Sequence, residues 1–268
     1  MYYSRTPITL DEAARLAPSI LAADQHESRS DIYCYVPTRD ILAGLMQEGF
    51  NIHGVTEAAV RNRSRNGFQK HLIRLRKEDN ADAKEAPELV LINSHDGSSA
   101  FRLIAGLIRF ACANGIILGN GWQDVRVKHT GDVLDNVIEG TFTVVDQFDE
   151  SAEAVDRMKS VRLDREEQEV FARAAIPLRF NVESAADAPV TVDQVNYCRR
   201  RSDSGNDLWS TFNRVQENLV KGNLRTRSKD RYGRIRRNVT KEVKGIDQNV
   251  KLNRALFTLA EEMAKLKQ

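Results

Sequence analysis

The sequence predicts an α+β protein, with a small antiparallel sheet and packed helices in the first half and a helical second half. Short segments between Phe50 and Ile92 alternate apolar and polar residues, which is the period of strands, whereas most of the chain after Asp132 carries apolar residues at helical spacing. A composition of 41% hydrophobic and 29% charged residues suits a globular chain with an unusually charged surface. The change of texture suggests a mixed α/β region over residues 1–130 and a helical region over 131–268, with a single domain as the alternative.

Thr9 and Glu12 form a capping box for a short helix through Ala13, Ala14, Leu16, Ile20 and Leu21, interrupted by Pro18. Thr38 caps a helix over 39–48 that stops at Gly49. Strands follow at 50–56, at 68–76 after the Asn66-Gly67 turn, and at 89–93 after a polar loop. Ser98 then reads as the cap of a helix over 98–114, with Phe101, Ile104, Leu107, Ile108 and Ala111 on one side. A hairpin is expected where Ile116–Leu118 and Val125–Val127 flank Gly119 and Gly121.

In the second half, one long helix is expected from Asp132 to Lys159, bent at Gly140 and Thr141. Asp164 caps the next helix, which Pro177 ends after Ala175. Helices over 191–200 and 207–221 follow, the latter burying Leu208, Trp209, Phe212, Val215 and Leu219 and turning Asn213–Asn218 outward. Residues 223–244 show no period, and 245–267 form a final amphipathic helix.

Cys34, Cys112 and Cys198 are widely spaced, which argues against a disulfide framework or a cysteine-rich zinc site. The first residues lack a secretory pattern, and Arg102, Arg109 and Asn114 interrupt the most apolar stretch. A cytoplasmic protein with no membrane span is the expectation.

The formal net charge of +2 conceals segregation. Arg61, Arg63, Arg65, Lys70, Arg74, Arg76 and Lys77 form one strip without an acid. Arg225, Arg227, Lys229, Arg231, Arg234, Arg236, Arg237, Lys241 and Lys244 form a second, while residues 146–169 are rich in acids. Guanidinium groups grip phosphates and release condensed counterions, so both strips are candidate nucleic-acid contacts, with Phe68 and Tyr232 as stacking surfaces. The competing reading pairs the strips with the acidic helices.

The turn Asn93, Ser94, His95, Asp96, Gly97, Ser98 leaves a strand and enters the expected helix. Asp96 and Ser98 read as helix caps and Gly97 as a residue of positive φ, with phosphate contact as the alternative. His95 and Asp96 would be the base or metal ligands of a catalytic reading, but no further ligand stands at a recognisable spacing and no nucleotide-binding or hydrolase motif occurs. No cofactor or metal is expected.

The segments 93–100, 109–115, 212–219 and 253–261, taken in order, resemble the uncharacterised YfjQ/YafZ/YubP-type family of prophage and plasmid proteins. The resemblance implies a mobile-element setting and carries over no activity. By architectural analogy, three strands followed by a helix at 98–114 look like the core of single-strand annealing proteins of the Red-beta and Rad types. The expected function is binding of single-stranded nucleic acid by a homo-oligomer, assisting annealing or recombination. The alternatives are a protein-interaction factor that counters a host defence system and a metal-dependent nuclease or nucleotide-processing enzyme.

Overall fold

The computed structural model describes residues 2–29, 33, 35–77, 84–111, 114–119, 124–125, 133–229, 232 and 234–267. The α+β class holds: a six-stranded sheet is accompanied by helices and by a separate two-stranded sheet. The chain divides into two compact units, one of residues 1–116 and 122–150, the other of 117–121 and 151–268.

The first unit is built on β1 (Tyr2–Ile8), β2 (Asn51–Glu57), β3 (His71–Arg76), β4 (Glu85–Asn93), β5 (Arg102–Arg109) and β6 (Asn114–Ile117). These strands lie in the sheet in chain order, and the pairings from β1 through β5 are antiparallel. Helix α1 (Leu10–Leu16) carries the expected capping box, with Glu12 N donating to Thr9 Oγ1 at 3.2 Å and Thr9 N donating to the Glu12 carboxylate at 2.8 Å. It packs on β1 and β2, while α2 (Thr38–Gln47) packs against α3 (Val133–Val145), which covers β4 and β5.

The helix expected over 98–114 is instead β5 and the start of β6. Leu103 to Ile108 is buried throughout, so the strand's two apolar faces merge into one run whose subset at 104, 107, 108 and 111 mimics a helical face. This removes the helix on which the annealing-protein analogy stood. Strand β1, which carries no clean alternation, escaped the sequence reading. Of the hairpin expected near 116–127, the structure describes β6 and an isolated bridge between Leu103 and Val125.

The inner row of this sheet is charged. Arg74 is 1% exposed and Glu88 0%, and Arg74 Nη1 donates to Glu88 Oε2 at 2.8 Å. Arg76, also 1% exposed, has its Nε 4.0 Å from the other Glu88 oxygen. It donates to the Arg5 carbonyl at 3.0 Å and to His53 Nδ1, and stands 4.8 Å from the Phe110 ring centroid. Burial holds the Glu88 carboxyl above the usual carboxylate range, and the two guanidiniums offset only part of that rise. A Cβ on Gly115 would lie 2.0 Å from the Arg74 guanidinium carbon, so only glycine leaves the space that this side chain occupies.

Helix α4 (Gln147–Ser160) follows α3 after a break at Asp146, not the bend expected at Gly140 and Thr141. Gly140 serves close packing, since a Cβ there would meet Val125 at 2.5 Å. The second unit adds α5 (Arg165–Phe180), α6 (Val192–Val195), α7 (Leu208–Lys221), β7 (Arg225–Lys229), β8 (Ile235–Val239) and α8 (Ile246–Leu266). The expectation of an all-helical second half missed the β7–β8 hairpin, whose arginine-rich strands offer no apolar alternation. Helix α5 runs through Pro177 to Phe180 even though the proline has no N–H to donate to the Arg173 carbonyl, and Asn181 closes the helix at φ 53°. The helix expected over 191–200 is only the single turn of α6. Trp209 and Phe212 stack with centroids 5.3 Å apart, Phe212 meets Phe257 edge-on at 5.9 Å, and all three are buried, as expected of a core.

Glu88→Gln removes the carboxylate that faces Arg74 and Arg76. Breaking a buried ion pair from one side typically costs about 3–5 kcal/mol, and urea denaturation should show a destabilisation of that order. The same change at Glu153, whose i,i+4 pair with Arg157 is solvent-exposed, should leave the midpoint nearly unmoved.

Candidate nucleic-acid interface

The turn between β4 and β5 is a buried junction. Asn93, Ser94, His95 and Asp96 are all at most 5% exposed, whereas Gly97 and Ser98 are at the surface. His95 N and Asp96 N both donate to the Phe68 carbonyl, at 2.9 and 3.1 Å. Ser94 Oγ accepts from Ser99 N at 2.9 Å, and Tyr33 donates to the Ser94 carbonyl at 2.7 Å. Asp96 Oδ1 accepts from Ser98 N at 2.9 Å. The capping chemistry read from the sequence is therefore present, but it closes a strand-to-strand turn. Gly97 has the expected positive φ, 72°.

The His95 ring faces inward, into a network the sequence does not announce. Thr38 Oγ1 lies 2.9 Å from His71 Nε2 and 3.3 Å from His95 Nε2, and Ser19 Oγ lies 2.8 Å from His71 Nδ1. Asn93 Nδ2 donates to Thr38 Oγ1 at 2.9 Å. Burial pushes His71 down to about 3 and His95 down to about 4, so both rings are neutral at pH 7. Asp96 turns elsewhere, 3.8 Å from Arg65, and hydrogen bonds to Ser98 hold its carboxyl below the usual range against the opposing effect of burial. His95 and Asp96 thus do not converge on a common point. Among the described residues, no three His, Cys, Asp or Glu side chains gather as metal ligands.

The first basic strip is divided by the sheet. Lys70, Arg74 and Arg76 are buried and face no solvent, which corrects the expectation that they line a phosphate-binding surface. Arg61, Arg63 and Lys77 are exposed, and Arg65 keeps 41% of its side chain in solvent.

The second strip is the β7–β8 hairpin. The register sets Arg227 opposite Arg237, Ser228 opposite Arg236 and Lys229 opposite Ile235. Its root is fixed: Arg179 donates to the carbonyls of Leu219 and Lys241 at 3.2 and 3.1 Å, and Val243 N donates to Val220 O at 2.9 Å. Tyr232, between the strands, is 68% exposed, with the Arg234 guanidinium 5.9 Å from its ring centroid. Arg231 lies outside the described residues, as do Cys34, Cys112 and His129. Beside the hairpin runs an open groove of about 1510 Å³, lined by Arg173, Pro189, Thr191, Arg225, Asn238 and Val239 among others.

The polar residues of α7 do not face outward as expected. Asn213, Arg214, Gln216, Glu217 and Asn218 are all buried. Arg214 donates to the carbonyls of Asp203 and Gly205 at 2.6 and 2.8 Å and to Gln168 Oε1 at 2.9 Å. Arg200 grips Glu217 with Nε and Nη2, at 3.0 and 2.7 Å to Oε1. Asn218 Nδ2 donates to Val195 O and Tyr197 O at 2.9 and 2.8 Å. A helix face that looked solvated is thus the clamp for the 195–207 loop.

The buried histidines set a pH dependence. In the unfolded chain they return to about 6.5, so below that pH the unfolded state binds protons that the native state refuses. Their contribution is intact above pH 6.5 and is lost as pH falls toward the folded values of about 3 and about 4. The unfolding free energy from urea denaturation should fall between pH 7.5 and pH 5, by up to about 1.4 kcal/mol per histidine per pH unit below about pH 6.5, and His71→Gln should flatten the profile.

Residues 25–257 match the family described as DUF932, a domain of unknown function. The chain is 42% identical over 257 residues to the UPF0380 proteins YafZ and YfjQ of Escherichia coli strain K12, covering 96% of this chain and 92% of each relative. No solved structure matches. The geometry of the turn and of α7 lies within the matched span, and the chain belongs to the DUF932 family.

Proposed function

We propose that this chain binds single-stranded nucleic acid through the β7–β8 hairpin and the groove beside it. The observation that carries the reading is Arg227 set directly opposite Arg237 on a two-stranded ribbon that also holds Arg225, Lys229 and Arg236, with Arg234 just before β8. Like charges at opposed positions repel, and an anion laid along the ribbon relieves them. The adjoining groove adds Arg173 to Arg225, neither of which makes an ion pair among the described residues, and its apolar wall of Pro189 and Val239 suits the flat faces of unpaired bases. The exposed Tyr232 ring offers a stacking surface at the same end of the ribbon. A single strand uses both the charge and the aromatic surface, whereas a duplex presents phosphates with its bases already stacked. The proposal is confined to strand binding, since the helix on which the annealing analogy rested is a strand.

Fluorescence anisotropy with a labelled oligothymidine strand tests it. Affinity should fall steeply with added salt, and replacing Arg225, Arg227, Arg236 and Arg237 by Ala should cut the slope of log K against log salt by about 0.7 for each phosphate that is no longer neutralised. Wild-type protein that fails to bind at low salt, or a quadruple variant that binds equally well, would overturn the reading.

A further inference from the structure

We propose that the exposed arginines of the β2–β3 loop, together with Arg29, form a second phosphate site, on the first unit and separate from the hairpin. It rests on the nucleic-acid reading only for the molecule that carries the phosphate. Two stretches of chain distant in sequence are tied to the turn after β4. His26 N donates to the His95 carbonyl at 2.9 Å, His26 Nε2 lies 3.1 Å from the Ser64 carbonyl, and the His26 and Phe68 rings meet edge-on at 5.2 Å. Phe68 in turn accepts from His95 N and Asp96 N. The loop arginines are thus mounted on a rigid, hydrogen-bonded base.

Two guanidiniums converge on that base. A Cβ on Gly97 would lie 2.5 Å from Arg29 Nη1, so Arg29 rests directly over the bare backbone, and Arg65 reaches the adjacent Asp96 at 3.8 Å. Arg61 and Arg63 are exposed on the same loop and, like Arg29, face no carboxylate within ion-pair distance among the described residues. Asp96 is 5% exposed and already holds Ser98 N, and Glu57, at the start of the loop, accepts from Ser19 N. Two guanidinium forks beside an exposed serine hydroxyl and glycine backbone, with Arg61 and Arg63 exposed on the same loop, fit a tetrahedral oxyanion, whose several oxygens can accept from more than one fork.

The test uses the full chain with a labelled oligothymidine strand, comparing wild type, Arg61→Ala with Arg63→Ala, the hairpin quadruple variant, and Arg15→Ala with Arg39→Ala as a control at exposed positions outside the loop. The loop pair should weaken binding about tenfold at low salt and lower the salt slope by about 1.4, with the control pair near wild type. A loop variant that binds like wild type while the hairpin variant fails overturns this inference and leaves the hairpin reading standing. Equal losses in the loop and control pairs also overturn it, because the effect is then general charge. Inorganic phosphate and a nucleoside monophosphate, added as competitors, distinguish the carrier: displacement at millimolar concentration points to a free monoester, and none points to chain phosphate. If wild type binds none of the three probes, both readings fall.

Discussion

A guanidinium sealed inside a sheet cannot shed its proton to escape the cost of burial, so the surrounding fold has to answer its charge. In the first unit that answer is Glu88, 2.8 Å from Arg74 and 4.0 Å from Arg76 at its other oxygen. Much else in the unit follows from it. Gly115 exists as glycine to leave room for Arg74, His53 and the Arg5 carbonyl take up donors of Arg76, and Phe110 lies against its cationic plane. The arrangement also splits a run of positive charge that is continuous in sequence, sending Arg74 and Arg76 inward and leaving Arg61, Arg63 and Arg65 on a loop.

The same division marks how far the sequence could be read. Caps and turns were legible because they depend on adjacent residues: Thr9 with Glu12, Asp164 with Glu167, and the positive φ of Gly97 all stand as expected. Strand β5 was not, because an interior strand covered on both faces loses its alternation, and Leu103–Ile108 can be drawn on a helix as well as on a sheet. Hairpin β7–β8 was missed for the opposite reason, having almost no apolar residue to set a period. The burial of α7's polar face depends on partners, such as the 195–207 loop, that lie elsewhere in the chain.

The candidate site was half legible. Clustered arginines were visible in the sequence, but whether each faces water or protein is decided by strand pairing, which no spacing rule supplies. The turn at 93–98 was recognised as special, and its chemistry is that of a joint: His95 and Asn93 hold Thr38 and β3, and backbone amides hold the loop before β3. Polar residues that look like reagents can be fasteners, and the clamp of Arg214 and Asn218 in the second unit makes the same point.

Arginine facing arginine on the β7–β8 ribbon has one more consequence. Mobile ions screen the repulsion between like charges. The register of the ribbon thus ties its own stability to ionic strength, since opposed positive charges cost least where salt is high.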